Sequence, residues 1–161
     1  MKVFQVSTRP VRVEIFLTDG RQLSGRMFLV EDPRVSGNTD LLLGTLNDAR
    51  EFIPFAVGDE RGARSLVLNK DHIVRVRLAV EVKNAGEPPE LSGPEEAGAR
   101  AGETTILDLS DGSQITGQVA VETPESLSRT VDKLNRALRF LPVIREDGVD
   151  VVQRCHVTTL D

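Results

Sequence analysis

The side chains of this sequence best suited to chemistry are its two histidines. Each follows a cationic residue by two positions, in Lys70-Asp71-His72 and in Arg154-Cys155-His156. An imidazole beside an ammonium or guanidinium group could hold an anion or a nucleotide between paired donors. Lys70, His72, Arg154 and His156 are therefore the candidate ligand-binding residues. The blander reading has each imidazole closing a turn by bonding backbone where a strand begins. Catalysis finds little else to use. Cys155 and His156 are adjacent, and on a strand they would point to opposite faces, which defeats a nucleophile–base pair. A zinc site takes three or four suitably spaced ligands, and two distant histidines with one cysteine do not supply them. No Walker loop and no Gly-x-Gly-x-x-Gly occurs, and Gly58-Asp59-Glu60-Arg61-Gly62 reads as a charged loop tip. No catalytic residue, metal or cofactor is expected.

Composition narrows the remaining choices. Of 161 residues, 39% are hydrophobic and 28% charged, the balance of a water-soluble globular chain. Trp and Tyr are absent, so stacking on bases or sugars would fall to Phe and His. The single cysteine excludes an internal disulfide and suits a reducing compartment. No stretch approaches the roughly 18 apolar residues of a membrane helix, and a cytoplasmic location without membrane contact is expected. The net charge of −5 is carried by residues 84–161, while the first half is close to neutral. Phosphate backbones are bound through clustered basic charge, so nucleic acid is a possible partner but not the favoured one.

The elements that must carry these residues are written twice. Asp19-Gly20 and Gly25 match Asp111-Gly112 and Gly117 at an offset of 92. Leu46-Asn47 and Phe52-Ile53-Pro54 match Leu134-Asn135 and Phe140-Leu141-Pro142 at 88, and His72-Ile73 matches His156-Val157 at 84. The offset shrinks in steps, as deletions in loops would make it. Residues 1–83 and 104–161 are thus two copies of one unit. Between them, residues 84–103 hold one large apolar residue, Leu91, and predict a flexible acidic linker.

Each copy opens with period-two alternation around an Asp-Gly turn. Val11, Val13, Ile15 and Leu17 lead in, and Leu23, Met27 and Leu29 lead out. All are odd-numbered, so a two-residue loop would set Leu17 and Leu23 on opposite faces. A three-residue loop, Thr18-Asp19-Gly20, pairs Ile15 with Leu23 and gives glycine the left-handed position. The same arithmetic at Ser110-Asp111-Gly112 pairs Leu107 with Ile115. Asp19 and Asp111 are turn residues on this reading. A helical segment follows in each copy. Thr123-Pro124 resembles a helix start, and Leu127, Val131, Leu134 and Leu138 form one apolar stripe. Proline in the next strand, at Pro54 and Pro142, points to an edge or a bulge. Two further strands complete a β-β-α-β-β-β unit.

The alternation Val11-x-Val13-x-Ile15-x-Leu17-x-Asp19-Gly20-Arg21-x-Leu23-x-Gly25, repeated less fully at 105–117, resembles the first motif of the Sm-like family. That resemblance implies small, strongly bent five-stranded barrels, and RNA as a ligand. The family's second motif would fall at Leu68–Ile73 and Val152–Val157, where its Arg-Gly pair is missing, and its Asp-x-x-Met-Asn is missing as well. Asp-Gly hairpins also mark SH3-like barrels. The pattern of the whole repeat is similar to that of small bacterial proteins to which no activity attaches. The expected fold is therefore mainly β: two tandem Sm-like or SH3-like barrels, each with a short inserted helix.

One difference between the copies bears on partners. Opposite the core face, the first repeat has Phe16, Phe28 and Val30 where the second has Asp108, Ala120 and Glu122. These apolar residues are a candidate interface unless their own repeat covers them. The expected function is a non-catalytic binding or assembly module that recognises protein or self-associates. The alternatives are an Sm-like nucleic-acid binder and a small-molecule or nucleotide sensor at the His-bearing loops.

Overall fold

In the computed structural model, residues 6–35, 37–58, 61–79, 103–121 and 129–161 are described. The linker expected at 84–103, apart from Glu103, and the helix start expected at Thr123-Pro124 lie outside those residues. The first repeat runs β1 (Thr8–Leu17), β2 (Gln22–Val30), α1 (Asn38–Leu46), β3 (Phe52–Val57), β4 (Arg64–Asn69) and β5 (Ile73–Leu78). The second runs β6 (Thr105–Leu109), β7 (Gln114–Val119), α2 (Thr130–Arg136), β8 (Phe140–Arg145), β9 (Gly148–Gln153) and β10 (Val157–Leu160). A single 3-10 turn, Lys70–His72 or Arg154–His156, precedes the last strand of each repeat.

The hairpins have the register that side-chain parity demands. Ile15 lies opposite Leu23, and Leu107 opposite Ile115. Each loop holds three residues, and Gly20 and Gly112 close them at φ 85° and 83°. Five residues further on, Gly25 and Gly117 lie where the next strand crosses closely. A Cβ on Gly25 would sit 2.0 Å from the Ala56 carbonyl oxygen, and one on Gly117 2.4 Å from that of Ile144. Both repeats therefore need glycine there for the same reason, the close approach of β2 to β3 and of β7 to β8.

The protein is mainly β, and among the described residues ten strands form one antiparallel sheet in the order β10-β6-β7-β8-β9-β5-β1-β2-β3-β4. This departs from the expectation of two separate barrels: the sheet is continuous and open, and β5 of the first repeat pairs with β9 of the second. Prolines 54 and 142 lie in interior strands rather than at an edge. In each case the paired ladder to the preceding strand reaches only the residue after the proline, Phe55 or Val143, so a missing N–H at the proline costs little. The helical stripe is also only partly buried: Leu134 packs inward, while Val131 and Leu138 face solvent.

Two apolar clusters fill the molecule, one per repeat, and each borrows from the other. Phe140 and Val151 of the second repeat pack into the first cluster, against a set that includes Leu41, Leu42 and Leu46. Val74 of the first repeat packs into the second, with Leu109 and Val152. Among the described residues no helix is long and apolar enough to cross a membrane.

Candidate functional site

The seam where the repeats meet is the most specified surface of the protein. Its backbone is the β5–β9 ladder, which sets Arg75 opposite Val152, Val76 opposite Val151 and Arg77 opposite Asp150. Its apolar part is the exchange of Phe140 and Val151 for Val74. Asn47, just past α1, grips the Phe140 backbone from both sides. Its Nδ2 donates to the carbonyl at 3.0 Å, and its Oδ1 accepts from the N–H at 2.8 Å. Gln153 is buried in the seam; with its amide oriented to satisfy both ends, it donates to the carbonyls of Lys70 and Ile73 at 2.7 Å each.

Charge completes the seam. Asp150 is buried and accepts from Arg75 at 2.7 Å, Arg77 at 3.0 Å and Arg145 at 3.1 Å. Burial pushes the Asp150 pKa up, but the hydrogen bonds from Arg77 and Arg75 outweigh it, and the carboxyl is held below its ordinary range. Towards solvent, Arg139 pairs with Glu51 and Asp71. Removing one partner from such a buried cluster is costly, because the charges left behind have no water.

The four candidate ligand residues do not gather in one place. Lys70 is 0% exposed, and its ammonium donates to the carbonyls of Thr45 and Asp48 and to Asp48 Oδ1 at 2.9 Å. Arg154, its equivalent, donates to the Ala137 carbonyl at 2.7 Å. Both cations thus tie the turn before the last strand to the end of the helix in their own repeat. The imidazoles bond hydroxyls of the hairpin loops rather than the backbone of their own turns. His72 Nδ1 lies 3.2 Å from the Thr18 hydroxyl and His156 Nδ1 2.8 Å from that of Ser110. His156 does more: its Nε2 lies 2.8 Å from the Asp71 carbonyl across the seam. A carbonyl only accepts, so Nε2 carries a proton, and in the neutral imidazole the Ser110 hydroxyl then donates to Nδ1.

Phe16, Phe28 and Val30 are half-buried. The Arg75 guanidinium lies over the Phe16 ring at 3.8 Å, so a cation of the seam covers part of that face. Cys155 is exposed. Among the described residues no group of three His, Cys, Asp or Glu side chains could hold a metal ion.

The residues that sequence reasoning overlooked are Asn47, Phe140, Val151 and Asp150. A signal for the first two was present: Leu-Asn and Phe-x-Pro are among the repeated anchors, and both are seam parts. Their other copies are exposed. Phe52 corresponds to Phe140 and is 58% exposed against 1%; Val67 corresponds to Val151 and is 71% exposed against 0%. Asn135, the equivalent of Asn47, is also exposed and lines a depression of about 440 Å³ with Val131, Leu134 and Leu160.

Compared with known proteins, the chain matches no family model, no curated protein and no solved structure.

Proposed function

We propose that this protein is a non-catalytic cytoplasmic binding and assembly module, built from two bent Sm-like or SH3-like units, that takes up extended protein segments along its sheet edges. The observation that carries the reading is the β5–β9 ladder. The two repeats are themselves joined by strand addition, and the strands at the two ends of the sheet, β4 and β10, have no neighbour on their outer side among the described residues. An uncovered edge offers a row of backbone donors and acceptors to any extended chain. The side chains fit this role better than an anion site does, since Lys70 is turned inward and Arg154 is engaged with backbone.

Proline is the direct probe of an edge. Pro142 sends its carbonyl toward Ala120 of the preceding strand, so the Pro142–Val151 pair faces its polar groups apart. Val151 therefore offers its N–H to β5, and Val67, the equivalent residue of β4, offers its own to the open edge. A peptide-display selection on the immobilised protein is expected to yield extended ligands that lose binding to Val67→Pro or Leu160→Pro, since Asp161 bonds inward to Ile106 and Leu160, the next residue, faces the open edge. Selected ligands that bind both proline variants as well as the native chain would refute the reading.

A further inference from the structure

The parts of the intramolecular seam occur twice, and only one set is used. We propose that a second copy of this chain docks head to tail on the first, its Phe52 and Val67 entering the depression beneath α2 and β10. The proposal rests on the strand-addition reading and names the partner.

The knob is Phe52 with Val67, exposed on β3 and β4 although their equivalents Phe140 and Val151 are buried. The socket is the 440 Å³ depression whose apolar lining includes Val131, Leu134 and Leu160, with Asn135, Arg154 and Thr159 among its polar residues. In the first repeat the positions of Val131, Leu134, Asn135 and Leu160 are Leu43, Leu46, Asn47 and Val76, which form the bed of Phe140 and Val151. Val131, Leu138 and Leu160 leave apolar surface exposed at this end of the molecule. A reciprocal hollow of about 540 Å³ beside β4, lined by residues including Leu17, Leu68 and His72, is the equivalent of the place where Val74 enters the second core. Both ends of the sheet thus carry half of a seam, and the halves are complementary.

The existing seam fixes the register. Applied to the outer strands, it sets Thr159 opposite Leu68 of the second copy, Leu160 opposite Val67 and Asp161 opposite Leu66. The outer strand keeps the same frame, because β10 pairs with β6 through the same bulged register as β5 with β1. Asn135 then clamps the Phe52 backbone as Asn47 clamps that of Phe140. His72 Nε2 meets the Cys155 carbonyl, as His156 meets that of Asp71.

Charge decides which ends meet. The intramolecular seam buries Asp150 among three guanidinium groups. At the outer seam the same positions are Leu66, Thr159, Asp161 and Val57, so an apolar side chain takes the buried place of Asp150, and the one carboxylate, Asp161, stands at the partly exposed place of Arg77. Glu51 of the second copy would approach Arg139, the same ion pair with the roles of the repeats exchanged. Forcing β9 of one chain against β10 of another would instead take Asp150 from Arg75 and Arg77 and set it beside Asp161 with Arg145 alone, two carboxylates on one cation, which the geometry penalises. The contact is heterologous, so copies add in one direction and form a closed ring or an open filament according to the rotation per step.

Sedimentation velocity of the full chain from about 1 to roughly 100 μM, the range in which modest interfaces saturate, tests this. Species larger than the 17.6 kDa chain are expected to grow reversibly with concentration. Phe52→Glu and Val131→Glu, one in the knob and one in the socket, should each abolish them. An equimolar mixture of the two variants retains one good knob and one good socket, and should form a one-to-one dimer and nothing larger, which also shows that both are folded. A native chain that stays monomeric throughout, an assembly that survives both substitutions, or a mixture that stays monomeric would overturn the proposal. If monomers still bind selected peptides in an edge-dependent way, only the self-docking fails. If they do not, the strand-addition reading falls with it.

Discussion

Phe52 and Phe140 are the same residue at the same place in two copies of one unit, and the structure assigns them opposite energetics. Phe140 is 1% exposed within the first repeat's core. Removing its ring leaves a cavity in the cluster it shares with Leu41, Leu42, Leu46 and Val151, at a cost of about 3–5 kcal/mol. Phe52 is more than half in water, so Phe52→Ala in the separated chain should cost no more than about 0.5 kcal/mol. For a chain of this length the first change lowers the melting temperature by roughly 6–20 °C and the second by about 2 °C or less. The chain lacks Trp and Tyr, so thermal and urea unfolding are best followed by far-ultraviolet circular dichroism at low micromolar concentration. Raising the concentration should widen the loss at Phe52 alone, because the native chain gains stability from a partner that the variant cannot hold. Equal losses at the two positions in dilute solution would refute the seam as described.

Three further outcomes follow from the geometry. Gly25→Ala or Gly117→Ala drives a Cβ into a carbonyl oxygen that is backbone and cannot swing away; each should cost about 2–3 kcal/mol or more in urea unfolding. Asp48 is partly buried, which pushes its pKa up, but hydrogen bonds from Arg50 and Lys70 prevail and hold it at about 2 against an ordinary 3.8. A folded-state value below the unfolded one means that its contribution is complete above about pH 4 and is lost as the pH falls towards 2. Acid titration of stability should show a loss of about 1–2 kcal/mol in that window, discounted for partial exposure, and Asp48→Asn should flatten it. Thr158 is the equivalent of Val74, which is fully buried in the seam. Thr158→Val should tighten self-association about three- to tenfold by sedimentation, since an apolar methyl replaces a hydroxyl in the contact.

Much of this fold is legible in the residue order. The odd-numbered apolar positions on either side of Asp-Gly leave only one loop length that keeps both arms on the core, and Gly20 and Gly112 take the backbone angles that loop needs. The duplication is equally plain, because its anchors are turn and packing residues that neither copy can vary freely. The shared sheet is harder to see. Strand pairing between β5 and β9 is made by backbone groups, which every residue carries, so no side-chain pattern announces the partner. A trace exists in hindsight: Ile73-Val74-Arg75-Val76 and Val149-Asp150-Val151-Val152 are apolar beyond simple alternation, as strands covered on both faces are. Val157-Thr158-Thr159-Leu160, the equivalent of the first, is more polar and lies at the edge. The candidate ligand residues misled for a related reason. Lys70 and His72 look like neighbours on paper, yet the 3-10 turn sends the ammonium into the core and the imidazole to the hairpin tip. Asp150 gave no hint, because two of its three arginine partners, Arg75 and Arg77, reach it only after the repeats have joined.

The central claim is that one seam is built within the chain and a second copy of it forms between chains. Backbone amide exchange at Val67 and Val151, read by nuclear magnetic resonance across a concentration series, tests it most directly. The account predicts that Val151 is protected at every concentration, while Val67 exchanges freely in dilute solution and becomes protected as the protein is concentrated, except in Phe52→Glu. A Val67 amide that exchanges at the rate of open chain at the highest concentration, with Val151 still protected, would contradict it.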